Sequence, residues 1–114
     1  MKNCLFCKIV GRETAARIVF EDDRVLAFED IDPKAPVHIL IIPKKHYATL
    51  LDVPEEDGDL IWHMLKVSRG VARIKGIAER GFRIVSNCNP ESGQSVYHLH
   101  FHLFGGRQMQ WPPG

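Results

Sequence analysis

From Tyr97 to Phe104 the chain alternates apolar and imidazole side chains: Tyr97-His98-Leu99-His100-Phe101-His102-Leu103-Phe104. A period of two belongs to a β-strand. It puts His98, His100 and His102 on one face and Tyr97, Leu99, Phe101 and Leu103 on the other, toward a core. No other stretch constrains the fold as tightly. Just before it, Gly93-Gln94-Ser95 predicts a flexible turn whose backbone N–H groups are free to bind an anion. A row of imidazoles beside such a turn suits phosphate chemistry, because one ring can attack while its neighbours hold negative charge. His-x-His on a strand equally suits zinc, and spacing alone does not separate the two. A solvated face without chemistry is the weakest reading, since three of only six histidines stack here.

The remaining totals narrow the class. A chain of 114 residues fits one domain, 1–114, with a modest core that oligomerisation would help. With 45% hydrophobic and 25% charged residues it reads as globular. A net charge of +1 gives no polyanion signature, which argues against nucleic acid as a partner. The longest apolar run, Val37 to Ile42, is interrupted by His38 and stops at Pro43, so no membrane span is expected. The start, Met1-Lys2-Asn3-Cys4, lacks an apolar signal region, and three cysteines are an odd count. Both point to a reducing, cytoplasmic location.

Taken in order, Cys4-Leu5-Phe6-Cys7 is half a zinc site or two small residues of a helix; a redox pair would need a strand before it. Leu5, Phe6, Ile9 and Val10 predict a short helix ending at Gly11. Ile18 to Glu21 and Val25 to Glu29 predict two strands joined at Asp22-Asp23. Asp30 either accepts from the paired hydroxyls of a ribose or makes a turn; for Asp32, beside Pro33, the turn is preferred. Val37 to Pro43 predicts a central strand covered on both faces. Its His38 is a satisfied core histidine or joins the triad face. His46, after Lys44 and Lys45, is a surface residue, a helix cap or a metal ligand. Residues 52–79 predict the main helix, with Pro54 and acids at its start and Leu60, Met64, Val67, Val71 and Ile74 as its stripe. Ile61, Leu65 and Ala72 widen the stripe, and His63 beside it is assigned no chemistry. Phe82 to Asn87 predicts another strand, with Asn87 binding a ligand or ending the strand; Cys88 is an unpaired thiol. The tail from Gly105 shows no repeating pattern and alone reads as frayed, although Met109 and Trp111 want a surface to pack on.

These residues together resemble a known family. His98-Leu99-His100-Phe101-His102-Leu103-Phe104 matches the histidine-triad motif. Gly93-Gln94-Ser95-Val96-Tyr97 before it, and Gly105-Gly106-Arg107-Gln108-Met109 with Trp111-Pro112-Pro113-Gly114 after it, resemble the Hint branch, the histidine-triad nucleotide-binding proteins. Phe20 to Arg24, Ala27-Phe28, Asp30-Ile31, Ala35-Pro36, His38 and Ile42 to His46 continue the likeness across nearly the whole chain. The resemblance implies an α+β fold: an antiparallel five-stranded sheet with one long and one short helix, paired into a homodimer.

The implied activity is hydrolysis of purine nucleoside phosphoramidates, conjugates of AMP or GMP with an amine. His100 would be the nucleophile, attacking through Nε2 while a backbone carbonyl near the first triad histidine holds Nδ1–H, to give a nucleotidyl-histidine that water cleaves. His102 would bind phosphate oxygens and help protonate the leaving amine. Ser95, with the Gly93-Gln94 and Val96 segment, would bind the phosphate, His38 would support the triad, and Asn87 would touch the phosphate. Asp30 would take the ribose hydroxyls; Leu5, Phe6, Ile9, Phe28 and Ile31 would wall the purine. Trp111 would come from the partner subunit to the leaving-group side. Cys4 and Cys7 resemble positions that bind structural zinc in some microbial members and in the related galactose-1-phosphate uridylyltransferases, with His46 and His98 completing a closed set. No organic cofactor is implied. A non-catalytic purine-nucleotide sensor or scaffold, a dinucleoside polyphosphate hydrolase and a zinc-dependent hydrolase are the competing classes.

Overall fold

The computed structural model of the protein describes residues 3–114. The elements run α1 (Leu5–Val10), β1 (Ile18–Glu21), β2 (Val25–Glu29), β3 (Val37–Pro43), α2 (Gly58–Ile74), β4 (Phe82–Val85) and β5 (Phe101–Gly105). The strands form one antiparallel sheet in the order β1-β2-β3-β5-β4. Asp22 closes the β1–β2 turn by accepting from the N–H of Arg24 at 2.9 Å and of Val25 at 2.8 Å.

The apolar run of β3 has its cause in this order. The strand is central and buried from His38 onward, so both faces must be apolar. Ile39 and Ile41 face α2, whose Leu60, Met64, Val67, Val71 and Ala72 join Leu99, Phe101 and Leu103 in the larger core cluster. Leu40 and Ile42 face the other way, against Phe6 and Ile9 of α1 with Leu26 and Phe28. The long helix thus covers one face fully, and the short helix leaves part of the second face open. His102 pairs in register with Leu40, so it lies on that second face.

Several element boundaries differ from expectation. The main helix covers Gly58–Ile74, not 52–79, and two single 3-10 turns, Leu50–Asp52 and Glu55–Asp57, precede it. Thr49 and Asp52 cap the first turn reciprocally, and Val53, preceding Pro54, is extended, which breaks any continuous helix there. At the other end Gly76 takes φ 73°, and Ile77 N–H donates to Ala72 O at 2.9 Å, a left-handed stop. Ile74, expected in the stripe, is exposed, while Ile77 beyond the stop is buried. β4 ends at Val85 rather than Asn87.

The triad strand begins at Phe101, not Tyr97. Phe101 pairs with Ile41, so Leu99 falls opposite Pro43, which has no N–H to continue the ladder. Leu99 N–H donates instead to Tyr47 O at 2.7 Å. Leu99, Phe101 and Leu103 are buried as the alternation predicts; Tyr97 is exposed. No helix among the described residues is long and apolar enough to cross a membrane.

Candidate active site and cysteine–histidine cluster

Hydrogen bonds fix the tautomer of each triad histidine. His98 Nε2–H donates to Pro43 O at 2.8 Å, which leaves its Nδ1 as a lone pair. His100 Nδ1–H donates to His98 O at 2.8 Å, which leaves Nε2 as a lone pair. Lys34 N–H donates to His38 Nδ1 at 3.1 Å, so the proton of His38 sits on Nε2. That Nε2–H donates to His102 Nδ1 at 2.9 Å, which puts the proton of His102 on Nε2. The result is one ring with a free lone pair beside one ring with a free N–H; their centroids are 4.9 Å apart.

Burial keeps these rings neutral. It pushes His98 and His102 down to about 4, and the charges of His100 and His38 add to the effect at His102. His100 and His38 also titrate below the usual histidine value, first because of burial; the His98 carbonyl opposes it at His100 and Asp30 at His38. A neutral imidazole is nucleophilic without prior loss of a proton.

Around the triad, Phe6 meets His100 edge-on at 5.1 Å and Phe28 at 5.5 Å. Ile9 and Phe28 are buried beside it, whereas Leu5 is exposed and Ile31 is 101% exposed, so Ile31 packs against nothing in the free chain. Asp30 turns Oδ2 toward His38 Nε2 at 3.4 Å, and its Oδ1 accepts from Asp32 N–H at 2.8 Å. The Asp32 carboxylate pairs with the Lys34 side chain, and the turn role expected of Asp32 falls instead to Asp30, which accepts the Asp32 N–H. Asn87 lies half-buried two residues past Val85, the register partner of His102.

In the Gly93-Gln94-Ser95 turn, two of the N–H groups that the sequence suggests are free, those of Gly93 and Gln94, are used inside the loop. Gly93 N–H donates to Pro90 O at 3.0 Å and Gln94 N–H to Asn89 O at 3.4 Å. The buried Gln94 side chain accepts from Asn89 N–H at 2.8 Å and donates to Ala48 O at 2.9 Å and Val96 O at 3.1 Å. Its polar atoms are spent on shaping the loop, so it has no donor left for phosphate. Ser95 is exposed and Val96 packs on the α1 side of the core.

Next to the triad, Cys4, Cys7, His46 and His98 bring one ligand atom each within 4.8 Å of one another. Cys4 Sγ lies 3.3 Å from His98 Nδ1, Cys7 Sγ 3.3 Å from His46 Nδ1, and the two Nδ1 atoms are 3.1 Å apart. A tetrahedral zinc needs ligand edges of roughly 3.3–3.8 Å, from bonds near 2.0–2.3 Å. The set fits, and His98 offers it a lone pair because Pro43 holds its other nitrogen. Burial and then the neighbouring Cys4 push the Cys7 thiol up to about 11. Cys4 and His46 also line an open cavity of about 510 Å³, with Ser95 and Tyr97 on its wall.

The family described as scavenger mRNA decapping enzyme C-term binding matches residues 3–111. Adenylylsulfatase HINT1 of Arabidopsis thaliana is 51% identical over 112 residues, covering 96% of this chain and 76% of that protein. The crystal structure of a HIT family hydrolase from Legionella pneumophila superposes with a TM-score of 0.96 at 54% identity, covering 98% of this chain and 100% of that one. The chain belongs to the histidine triad family. Another relative, the 14 kDa zinc-binding protein of Brassica juncea, is 49% identical over 112 residues, covering 96% of this chain and 98% of that protein.

Some parts of this histidine triad protein escaped the sequence reading. His63, assigned no chemistry, places Nε2 2.6 Å from Asp22 Oδ2 and ties α2 to the β1–β2 turn. The Lys34 N–H and the carbonyls of Pro43 and Tyr47 set the triad, and backbone groups leave no trace in residue types. The tail is not frayed beside the sheet: Arg83 donates to Gln110 O at 2.9 Å and lies 6.0 Å over the exposed Trp111 ring.

Proposed function

We propose that the protein hydrolyses the P–N bond of purine nucleoside 5′-phosphoramidates, releasing a nucleoside monophosphate and an amine. One observation carries this reading. His100 has its Nδ1–H tied to a carbonyl and its Nε2 lone pair free, beside a ring whose Nε2–H is free. In the reaction His100 Nε2 attacks phosphorus and the P–N bond breaks. The bound phosphate anion favours the charged form of His102, whose proton goes to the leaving nitrogen. Water then attacks the nucleotidyl-histidine, gives its proton to His102 and restores His100.

Asp30 accepts from the ribose hydroxyls; Phe6, Ile9 and Phe28 wall the purine, with Leu5 and Ile31 closing over it at the rim. That wall is apolar, so adenine and guanine both enter. Ser95 and Asn87 contact the phosphate. Cys4, Cys7, His46 and His98 would hold zinc. Held by four protein ligands, it would supply structure rather than catalysis. The protein works as a homodimer in the cytoplasm. The exposed Trp62 and Ile74 of α2 and Phe82 of β4 support such pairing, which would bring the partner's tail to the leaving-group side.

The test is release of AMP from an adenosine 5′-phosphoramidate. The native chain turns it over. His100→Ala loses roughly 10⁴- to 10⁶-fold, as the removal of a nucleophile does, while still binding AMP. Tight AMP binding by the native chain without turnover would mean a nucleotide sensor.

A further inference from the structure

His98 is bound into two systems at once. Its ring nitrogen Nδ1 sits in the cysteine–histidine cluster, 3.3 Å from Cys4 Sγ and 3.1 Å from His46 Nδ1. Its backbone oxygen holds Nδ1–H of His100 at 2.8 Å. That oxygen belongs to the peptide unit joining His98 and Leu99. The N–H of the same unit donates to Tyr47 O at 2.7 Å, and Tyr47 follows His46 in the chain. Both sides of the peptide that orients His100 are therefore tied to the cluster, one through His98 itself and the other through the neighbour of His46. A peptide unit is planar and turns as one body. Moving either attachment swings the carbonyl away from His100. Without that acceptor the proton of His100 is free to shift to Nε2, and the attacking lone pair is lost.

We propose that His98 is a positioning residue through which metal occupancy of the cluster controls the nucleophile. With zinc drawing Cys4, Cys7, His46 and His98 to one centre, the His98–Leu99 peptide is held and His100 keeps its proton on Nδ1. When the metal leaves, the peptide is released and His100 no longer has one fixed tautomer. An open cavity reaches two of the four ligands, Cys4 and His46, from solvent. The control rests on His100 being the nucleophile proposed above.

The experiment compares zinc-loaded protein, carrying ¹⁵N-labelled histidine, with the same protein after a chelator and after zinc is restored. Three quantities are read: the His100 ring-nitrogen signals, the affinity for AMP, and turnover of the phosphoramidate. Loaded protein shows His100 protonated on Nδ1 alone. Removal gives a mixture of tautomers and about a 10- to 100-fold fall in kcat, the scale on which outer-shell contacts act, with AMP affinity unchanged. Restored zinc reverses both changes. His46→Ala, which removes a ring that meets His98 at 3.1 Å and leaves the His100 and His102 rings in place, reproduces the metal-free spectrum, and His46→Cys, which keeps a four-ligand set, recovers the loaded one. Failure of zinc to bind, His100 signals that ignore its removal, or AMP affinity falling in step with kcat would each overturn the proposal. If the native protein shows no turnover, the phosphoramidase reading fails, while the His100 signals still decide the coupling.

Discussion

Each triad ring has its own proton assignment, and each assignment comes from a different backbone or ring partner: Pro43 for His98, His98 O for His100, and Lys34 through His38 for His102. That division is what lets neighbouring imidazoles take opposite roles. In the free protein burial holds His102 at about 4. A phosphate anion bound beside it favours the charged form, so the sign of the change on binding is upward. An NMR pH titration should show the His102 midpoint rising when AMP is added; a midpoint that stays or falls contradicts its role as proton donor. Asp30→Asn should weaken AMP binding by about tenfold, ~1.4 kcal/mol, through loss of a charged hydrogen bond to the ribose. A 2′,3′-dideoxy nucleotide should lose nothing, and equal losses would place Asp30 elsewhere. At this scale the grouping of the triad histidines, and of Cys4 and Cys7 with His46 and His98, was legible from spacing and resemblance, whereas spacing left Asp30 open between a ribose contact and a turn. The tautomer of His100 followed from the resemblance; those of His98 and His102 did not, because the Pro43 carbonyl and the Lys34 N–H acting through His38, both far along the chain from these rings, decide them.

Among the elements, β5 shows where a pattern stops being structure. The alternation of Tyr97 to Phe104 places Leu99, Phe101 and Leu103 in the core. The ladder nevertheless starts only at Phe101, since Pro43 cannot donate opposite Leu99. The break matters for the site: it frees the His98 carbonyl and the Pro43 carbonyl to hold rings. At its other end β5 passes Ile77 closely, and a Cβ on Gly105 would meet Ile77 Cδ1 at 2.5 Å and Cβ at 3.1 Å. Gly105→Ala should therefore destabilise by roughly 1–3 kcal/mol through overpacking, measured by denaturant unfolding. A neutral substitution would mean that the segment after α2 yields freely. The helix stripe from Leu60 to Val71 was readable, but the start of α2 was misplaced because acids near Pro54 serve two 3-10 turns equally well.

Across the whole molecule, the sheet divides the labour between its faces. One is sealed by α2 and supplies the larger core; the other is only partly covered by α1 and carries the histidines. Placing titratable rings on that face links folding to pH. His38, His100 and His102 all titrate below the ordinary histidine value when folded. As pH falls below about 6.5 the unfolded chain binds protons first, so stability present above that point is lost as pH drops through the folded values. The urea midpoint should fall between about pH 6.5 and 4 and fall less in a His102→Asn variant; a flat midpoint would mean that the rings are more solvated than the packing shows. The central claim, nucleophilic attack by His100, is tested most directly by mass spectrometry of protein quenched during turnover of an adenosine phosphoramidate. An AMP adduct on the peptide containing His100, absent from His100→Ala, is the predicted result. Turnover that persists in His100→Ala, or an adduct carried by another residue, would contradict it.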